Sequence, residues 1–291
     1  MDEERRVLLI IADISGYTRF MTANAKALAH AQLIITELIE TILNGVDYPV
    51  EVSKLEGDAV FLYSIIDTDE WADPAIHERL SKQLLAAYAA FADRVIELAE
   101  ERICRCDACS TIDRLRLKIV IHAGTALFHR VGTFNELAGV DVILVHRLLK
   151  NSIQADEYIL ITDPVFDELR FPEAIQWTKG SERYVELGEV STHLYVPERE
   201  RERCLIRLQQ RPLHEKIISS AKTFTRRLVY SQPIIWGLST TPVFHHLPQK
   251  AGLTSRSVQT ILLLVMTPPM LVIGLLLVAA RESYRHLTRT S

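Results

Sequence analysis

Residues 7–20 read VLLIIADISGYTRF, and this stretch decides the fold. Val7 to Ala12 is an uninterrupted apolar run, the pattern of a strand buried on both faces. The run ends on Asp13, and the chain then turns through Ser15 and Gly16 toward a helix. A carboxylate at the end of a buried strand is costly unless something compensates it. A divalent cation would do so. The alternative is that Asp13 only caps the following helix, with Ser15, Gly16 and Thr18 fitting a cap.

A second stretch, residues 50–63, reads VEVSKLEGDAVFLY. Two β-rich runs flank a tight turn at Glu56-Gly57-Asp58, which predicts a hairpin. Asp58 sits on that turn. Two acids at the ends of neighbouring strands are the parts of a two-cation phosphate site.

Four segments in order carry a resemblance: ADISGYTRF at 12–20, KLEGDAVFLY at 54–63, LRLKIVIHAGTALFHRVG at 115–132 and GVDVILVHRL at 139–148. They resemble the catalytic domain of class III nucleotidyl (adenylyl and guanylyl) cyclases, in a divergent bacterial branch, over roughly residues 5 to 196. The resemblance implies an α/β (α+β) fold with a ferredoxin-like core, a mixed sheet and helices. It makes Asp13 and Asp58 the carboxylates that hold two Mg²⁺ or Mn²⁺ ions, with Ile14 beside them. Gly16, Tyr17, Thr18 and Gly57 then belong to the nucleotide-binding turns. Lys54 stands where adenylyl cyclases carry the lysine that contacts adenine. Glu136 stands where they carry an aspartate that accepts from the adenine amino group, so ATP is favoured over GTP. Arg147 matches the arginine that steadies the phosphates. Because sites of this class form between two chains, a homodimer is implied. The reaction is that of a phosphorus–oxygen lyase, ATP giving cyclic AMP and pyrophosphate.

The chain departs from that pattern twice. Ile143 replaces the asparagine that orients the ribose, and a late lysine expected near Val185 to Val190 is replaced by Glu186 and Glu189. Loss of one preorganised polar group can cost on the order of 10²–10³ in rate. Two other readings follow: a degenerate cyclase-like domain that binds nucleotide and signals without turnover, and a zinc-bearing membrane scaffold.

The zinc reading rests on Cys104, Cys106 and Cys109. A C-x-C-x-x-C loop brings three thiolates within reach of one metal, zinc first, and His122 or a second chain could supply the fourth ligand. The alternative is three reduced cysteines in a small loop. Four cysteines in 291 residues do not form a disulfide framework, and a reducing cytosol suits the head.

Charge is uneven. Residues 203–256 hold nine Lys or Arg and one acid, and the residues after Ala280 hold three Arg and one Glu. Taking +8 and +2 from the total of −4 leaves −14 on the first 202 residues. An acidic head of this kind argues against nucleic-acid binding. The opening MDEERR leads into a run too short for a secretory signal.

Between these motifs the spacing predicts helices over Thr18–Gly45, a long helix over Pro74–Arg102 and another over Val140–Lys150. Strands are expected at Leu115–His122, with Leu127–Val131 pairing back on it, and at Tyr158–Thr162. Gly132–Gly139 reads as a loop, Asp163-Pro164 as the start of a short helix, and Arg183–Leu187 with Thr192–Val196 as a hairpin around Gly188. Helices are expected on one face of the sheet.

The organisation expected is a cyclase-like domain at 1–200, a basic neck at 201–256, a transmembrane or re-entrant segment at 257–280 and a basic tail at 281–291. Ile261 to Ala280 is twenty residues without a charge, about 30 Å as a helix and enough to cross a bilayer. Pro268-Pro269 should kink it or turn it back. A single anchor in the cytoplasmic membrane, with the head in the cytosol and the neck, including Arg226, Arg227 and Trp236, against anionic lipid headgroups, is the expected topology.

Overall fold

The computed structural model describes residues 3–25, 28–100, 107–197, 200–235 and 256–290. Strand β1, Glu3–Ser15, runs through the middle of the sheet. After a positive-φ Gly16 the chain enters helix α1, Tyr17–Ala23, and then α2, Leu28–Asn44. Hairpin strands β2 (Glu51–Glu56) and β3 (Ala59–Ile65) follow, then the long helix α3, Pro74–Glu100. A short helix α4 (Asp107–Thr111) leads to β4 (Arg116–Val131) and β5 (Phe134–Ala138). Helix α5 (Val140–Leu148) crosses to β6 (Tyr158–Thr162), and a single turn, α6 (Asp163–Phe166), precedes β7 (Thr178–Tyr184) and β8 (Gly188–Tyr195).

The sheet order is β2-β3-β1-β4-β6-β8-β7, with β5 paired to the far end of β4. β1 is antiparallel to both β3 and β4, while β4 and β6 are parallel and joined through α5. A parallel pair needs such a crossover, and here the helix supplies it.

Burial explains the apolar run of β1. Val7, Leu9 and Ile11 face a core with Phe61, Val120, Leu160 and the inner residues Val142, Val145 and Leu148 of α5. Ile10 and Ala12 face the other way, onto Ile42 of α2 and Leu80 and Leu84 of α3. Helices therefore cover both faces of the sheet, not one. A strand buried on both faces has no polar side to show, which is why the sequence does not alternate. The α3 stripe is core: Leu80, Leu84, Tyr88, Phe91, Val95 and Leu98 are buried.

Three expected boundaries are corrected. Leu127–Val131 does not fold back on Leu115–His122, because β4 is one strand of sixteen residues whose end pairs with β5. Gly124, inside that strand, lies in register opposite Val7. Its missing Cβ makes room for Asp141: a methyl group there would lie 2.2 Å from that carboxyl carbon. The stretch 132–139 holds strand β5, reached by a tight turn at Gly132, where φ is +62°. In the last hairpin Gly188 opens β8 opposite Tyr184 rather than marking the turn, which is residues 185–187. β7 was illegible because TKGSERY is a polar, mostly exposed edge strand with no apolar alternation.

The chain divides into two compact units. One comprises Met1–Arg19, Ile35–Val95 and Arg114–Cys204 and contains the sheet. The other comprises Phe20–Ile34, Ile96–Asp113 and Leu205–Ser291. The second contains most of α7 (Glu200–Gln210), then α8 (Leu213–Ile235) and α9 (Arg256–Thr290). α9 has the length and apolarity to cross a membrane over Leu264–Arg285. It runs through Pro268 and Pro269 as one helix, so the re-entrant turn is not formed. Each proline removes a backbone donor, but the unbroken apolar turns on both sides hold the helix. Trp236 lies outside the described residues.

Candidate active site

Asp13 lies inside β1, facing Ala59 of β3 on one side and Lys118 of β4 on the other. It is four residues short of α1, so it does not cap that helix. Asp58 immediately precedes Ala59 in the two-residue turn of the β2–β3 hairpin. Gly57 takes φ +70° while Asp58 does not have a positive φ, which is the signature of a type II′ turn. The strand register thus brings the two carboxylates to the same end of adjacent strands.

Their electrostatics show the proximity. Burial pushes the Asp13 carboxyl up, opposed by the charge of Lys118. Burial, and then the charge of Asp13, push Asp58 up to about 6. Two half-buried acids that oppose each other's ionisation are relieved by a divalent cation, and carboxylate oxygens are the hard donors that Mg²⁺ and Mn²⁺ take. The donor set therefore fits such ions. Ile14 has a buried apolar side chain and can offer only its carbonyl. Gly16 forms the strand-to-helix turn directly after it, and Tyr17 and Thr18 open α1.

A second group lies across β2, β5 and α5. Lys54 Nζ donates to Glu136 Oε2 at 2.8 Å and lies 3.3 Å from Glu56 Oε1. The Lys54 ammonium is held above its ordinary range first by the Glu136 contact, and Glu136 is held below its own by Lys54. His146 of α5 approaches Glu56 Oε2 at 2.9 Å through Nε2, while Nδ1 donates to the Val142 carbonyl at 2.7 Å. Both contacts are hydrogen bonds when the ring carries both protons. Its edge packs on Phe61, with centroids 5.0 Å apart. Glu56 and His146 were not read from sequence as part of the site. The available signal was the period of two that puts Lys54 and Glu56 on one face of β2.

α5 is anchored at its start. Asp141 Oδ2 accepts the Thr125 amide at 2.6 Å, and Oδ1 lies 3.2 Å from His122 Nε2. His122 Nδ1 meets Thr162 Oγ1 at 2.8 Å. Burial pulls the His122 imidazole down, so the neutral ring donates to Asp141 and accepts from Thr162. Both nitrogens are thereby occupied, which removes His122 as a ligand for the cysteine cluster. Cys104 and Cys106 lie outside the described residues; Cys109 is buried in the second unit. Among the described residues no group of three or more His, Cys, Asp or Glu is arranged to hold a metal.

Arg147 and Ile143 lie one turn apart on the exposed face of α5. The Arg147 carbonyl accepts from Tyr184 Oη at 3.1 Å. Large apolar side chains are exposed at several places on the first unit: Val140 and Ile143 on α5, Val131 and Phe134 at the β4–β5 turn, and Val52 and Leu55 on β2. Glu189, at the late-lysine position, is bound to Arg183 and Ser181 at 2.8 and 2.9 Å.

Residues 35–158 match a family model described as "Protein of unknown function (DUF2652)". A protein of Mycobacterium tuberculosis, Rv2561/Rv2562, is 32% identical over 165 residues, which is 55% of this chain and 71% of that one. Among solved structures, the adenylyl cyclase CyaB from P. aeruginosa superposes with a TM-score of 0.51 at 16% identity, over 67% of this chain and 96% of that one. At that identity the likeness is one of fold.

Proposed function

Since this chain belongs to the family of the mycobacterial protein Rv2561/Rv2562 and has the fold of a class III nucleotidyl cyclase domain, we propose that it is a membrane-attached adenylyl cyclase converting ATP to cyclic AMP and pyrophosphate. The observation that carries this reading is the pairing of Asp13 with Asp58, two acids whose burial and mutual repulsion have no role in packing the sheet.

Two Mg²⁺ or Mn²⁺ ions held by Asp13, Asp58 and the Ile14 carbonyl would polarise the attacking 3′ hydroxyl and neutralise the departing pyrophosphate. The chain's own residues supply the rest. Glu136, with Oε2 engaged by Lys54, turns its other oxygen to an exocyclic amino group and repels the carbonyl that guanine or uracil presents there. Lys54 donates to a ring nitrogen. The turn Gly16–Thr18 lies against the triphosphate. Arg147, exposed on α5, reaches the phosphates bound to a second copy, and the exposed Val140 and Ile143 of the same helix are covered in that homodimer. α9 attaches the enzyme to the cytoplasmic membrane, with the catalytic unit in the cytosol.

The test is to incubate the full chain with Mg²⁺ or Mn²⁺ and each nucleoside triphosphate, assay cyclic products by mass spectrometry, and run Asp58→Ala beside it. A cyclic AMP signal absent from the variant supports the enzyme. One observation favours a second reading, a nucleotide-binding regulator without turnover: Ile143 cannot hydrogen-bond a ribose. Metal-dependent ATP binding with no product would select it.

A further inference from the structure

The second unit pairs a basic helix with an apolar one, and the contact between them limits where either can sit. Phe224 of α8 packs directly on Gly274 of α9, where a methyl group would lie 1.9 Å from the ring. That contact fixes Phe224 and Gly274 at the same depth in any membrane. Gly274 is six residues inside the uncharged run that ends at Ala280, about 9 Å along the helix axis. Lys222 and Arg226 are each two residues from Phe224, about 3 Å axially. If α9 crossed a bilayer with α8 attached, Lys222 would be carried into the hydrocarbon. Lys222 is exposed on the side of α8 that it shares with Ile218 and Val229, so it would face acyl chains. Charges are driven out of that environment.

We propose that the α8–α9 pair lies flat in the surface of an anionic membrane instead of crossing it. The outward face of α9 is apolar and more than half exposed at Leu264, Val265, Val272, Ile273, Leu276 and Leu277. Laid in the plane of the interface, that face enters the boundary between headgroups and acyl chains, while the exposed Lys222 stays among the headgroups. The occupant is an anionic lipid surface because of charge: residues 203–256 carry nine basic groups and one acid, a surplus that attracts phosphatidylserine-type headgroups. The exposed apolar face of α9 and the exposed ammonium of Lys222 on α8 are satisfied together at such an interface.

This inference rests on α9 being the membrane attachment and is independent of the cyclase reading. The test uses the full chain and phosphatidylcholine vesicles with and without phosphatidylserine. Flotation is expected to favour the anionic vesicles, and Lys222→Glu with Arg226→Glu is expected to weaken binding by about tenfold or more. Lys222→Glu alone, at an exposed position, checks that the loss is not unfolding. Cysteines placed by Ser257→Cys and Thr288→Cys, one near each end of α9, should both react with an impermeant maleimide added outside, above the parent's labelling. A fluorophore at Leu276→Cys should be quenched by lipids brominated near the headgroup, not at the chain end. Ends on opposite sides of the vesicle, or quenching at the bilayer centre, would overturn the flat arrangement. Absence of vesicle binding, with α9 instead mediating self-association, would overturn the membrane attachment itself.

Discussion

Lys54 Nζ and Glu136 Oε2 meet at 2.8 Å although 82 residues separate them in the chain. The contact joins the β2–β3 hairpin, which carries Asp58, to the β4–β5 hairpin, which leads into the helix of Arg147. In the proposed enzyme the same two side chains read the base, so base choice and the metal hairpin share one ion pair.

The pair is about one-third exposed on each side, so solvent screens it and it adds little stability. Glu136→Gln should leave the melting temperature nearly unchanged and reduce the preference for ATP over GTP. Competition between the two triphosphates in one reaction measures this. An unchanged ratio would remove Glu136 from base recognition.

The Asp58 carboxyl ionises near 6 in the folded chain against an ordinary 3.8. Between those values the folded protein keeps a proton that the unfolded chain has released. Stability of the metal-free protein therefore falls as the pH rises through that window. Asp58→Asn should flatten this slope, and Mg²⁺ should stabilise the parent more above the window than below it. Thermal unfolding at about pH 4 and about pH 7, with and without Mg²⁺, reads both effects.

Arg147→Ala and Asp58→Ala should each be inactive alone, because in a homodimer each site takes its metals from one chain and its arginine from the other. Mixing the two variants after co-refolding should restore activity through one intact site. No recovery in a mixture shown to form heterodimers would place both residues in a site within a single chain.

Ile143 is 54% exposed on the same face as Arg147, so replacing it disturbs no core packing. Ile143→Asn supplies the missing ribose hydrogen bond and should raise turnover by about tenfold or more, with a small change in stability. A lower or equal kcat would mean that this branch orients the ribose by other groups.

Gly124→Ala puts a methyl group 2.2–2.5 Å from Asp141. The clasp of Asp141 to Thr125 and His122 must then move, with a loss of about 1–3 kcal/mol. Thermal unfolding tests the stability. A Tm within one degree or so of the parent would mean that α5 relocates without cost.

Much of this molecule was legible in its sequence. The run Val7–Ala12 suits a strand covered on both sides, and Gly57-Asp58 between two β-rich runs signals a tight hairpin, since both depend on local pattern and backbone freedom. The four motif segments carried the fold and the two acids with it, for the same reason: their residues are neighbours in sequence. The tertiary structure decided what neighbours in space must decide. It showed that Gly124 leaves room for Asp141, that His122 is saturated by Thr162 and Asp141, and that Glu56 and His146 extend the Lys54–Glu136 pair. It also set Phe224 on Gly274, which ties a basic helix to the apolar one. Periodicity reports which face of an element is buried, but only packing says what that face meets, and the chemistry of a polar group is set by what it meets.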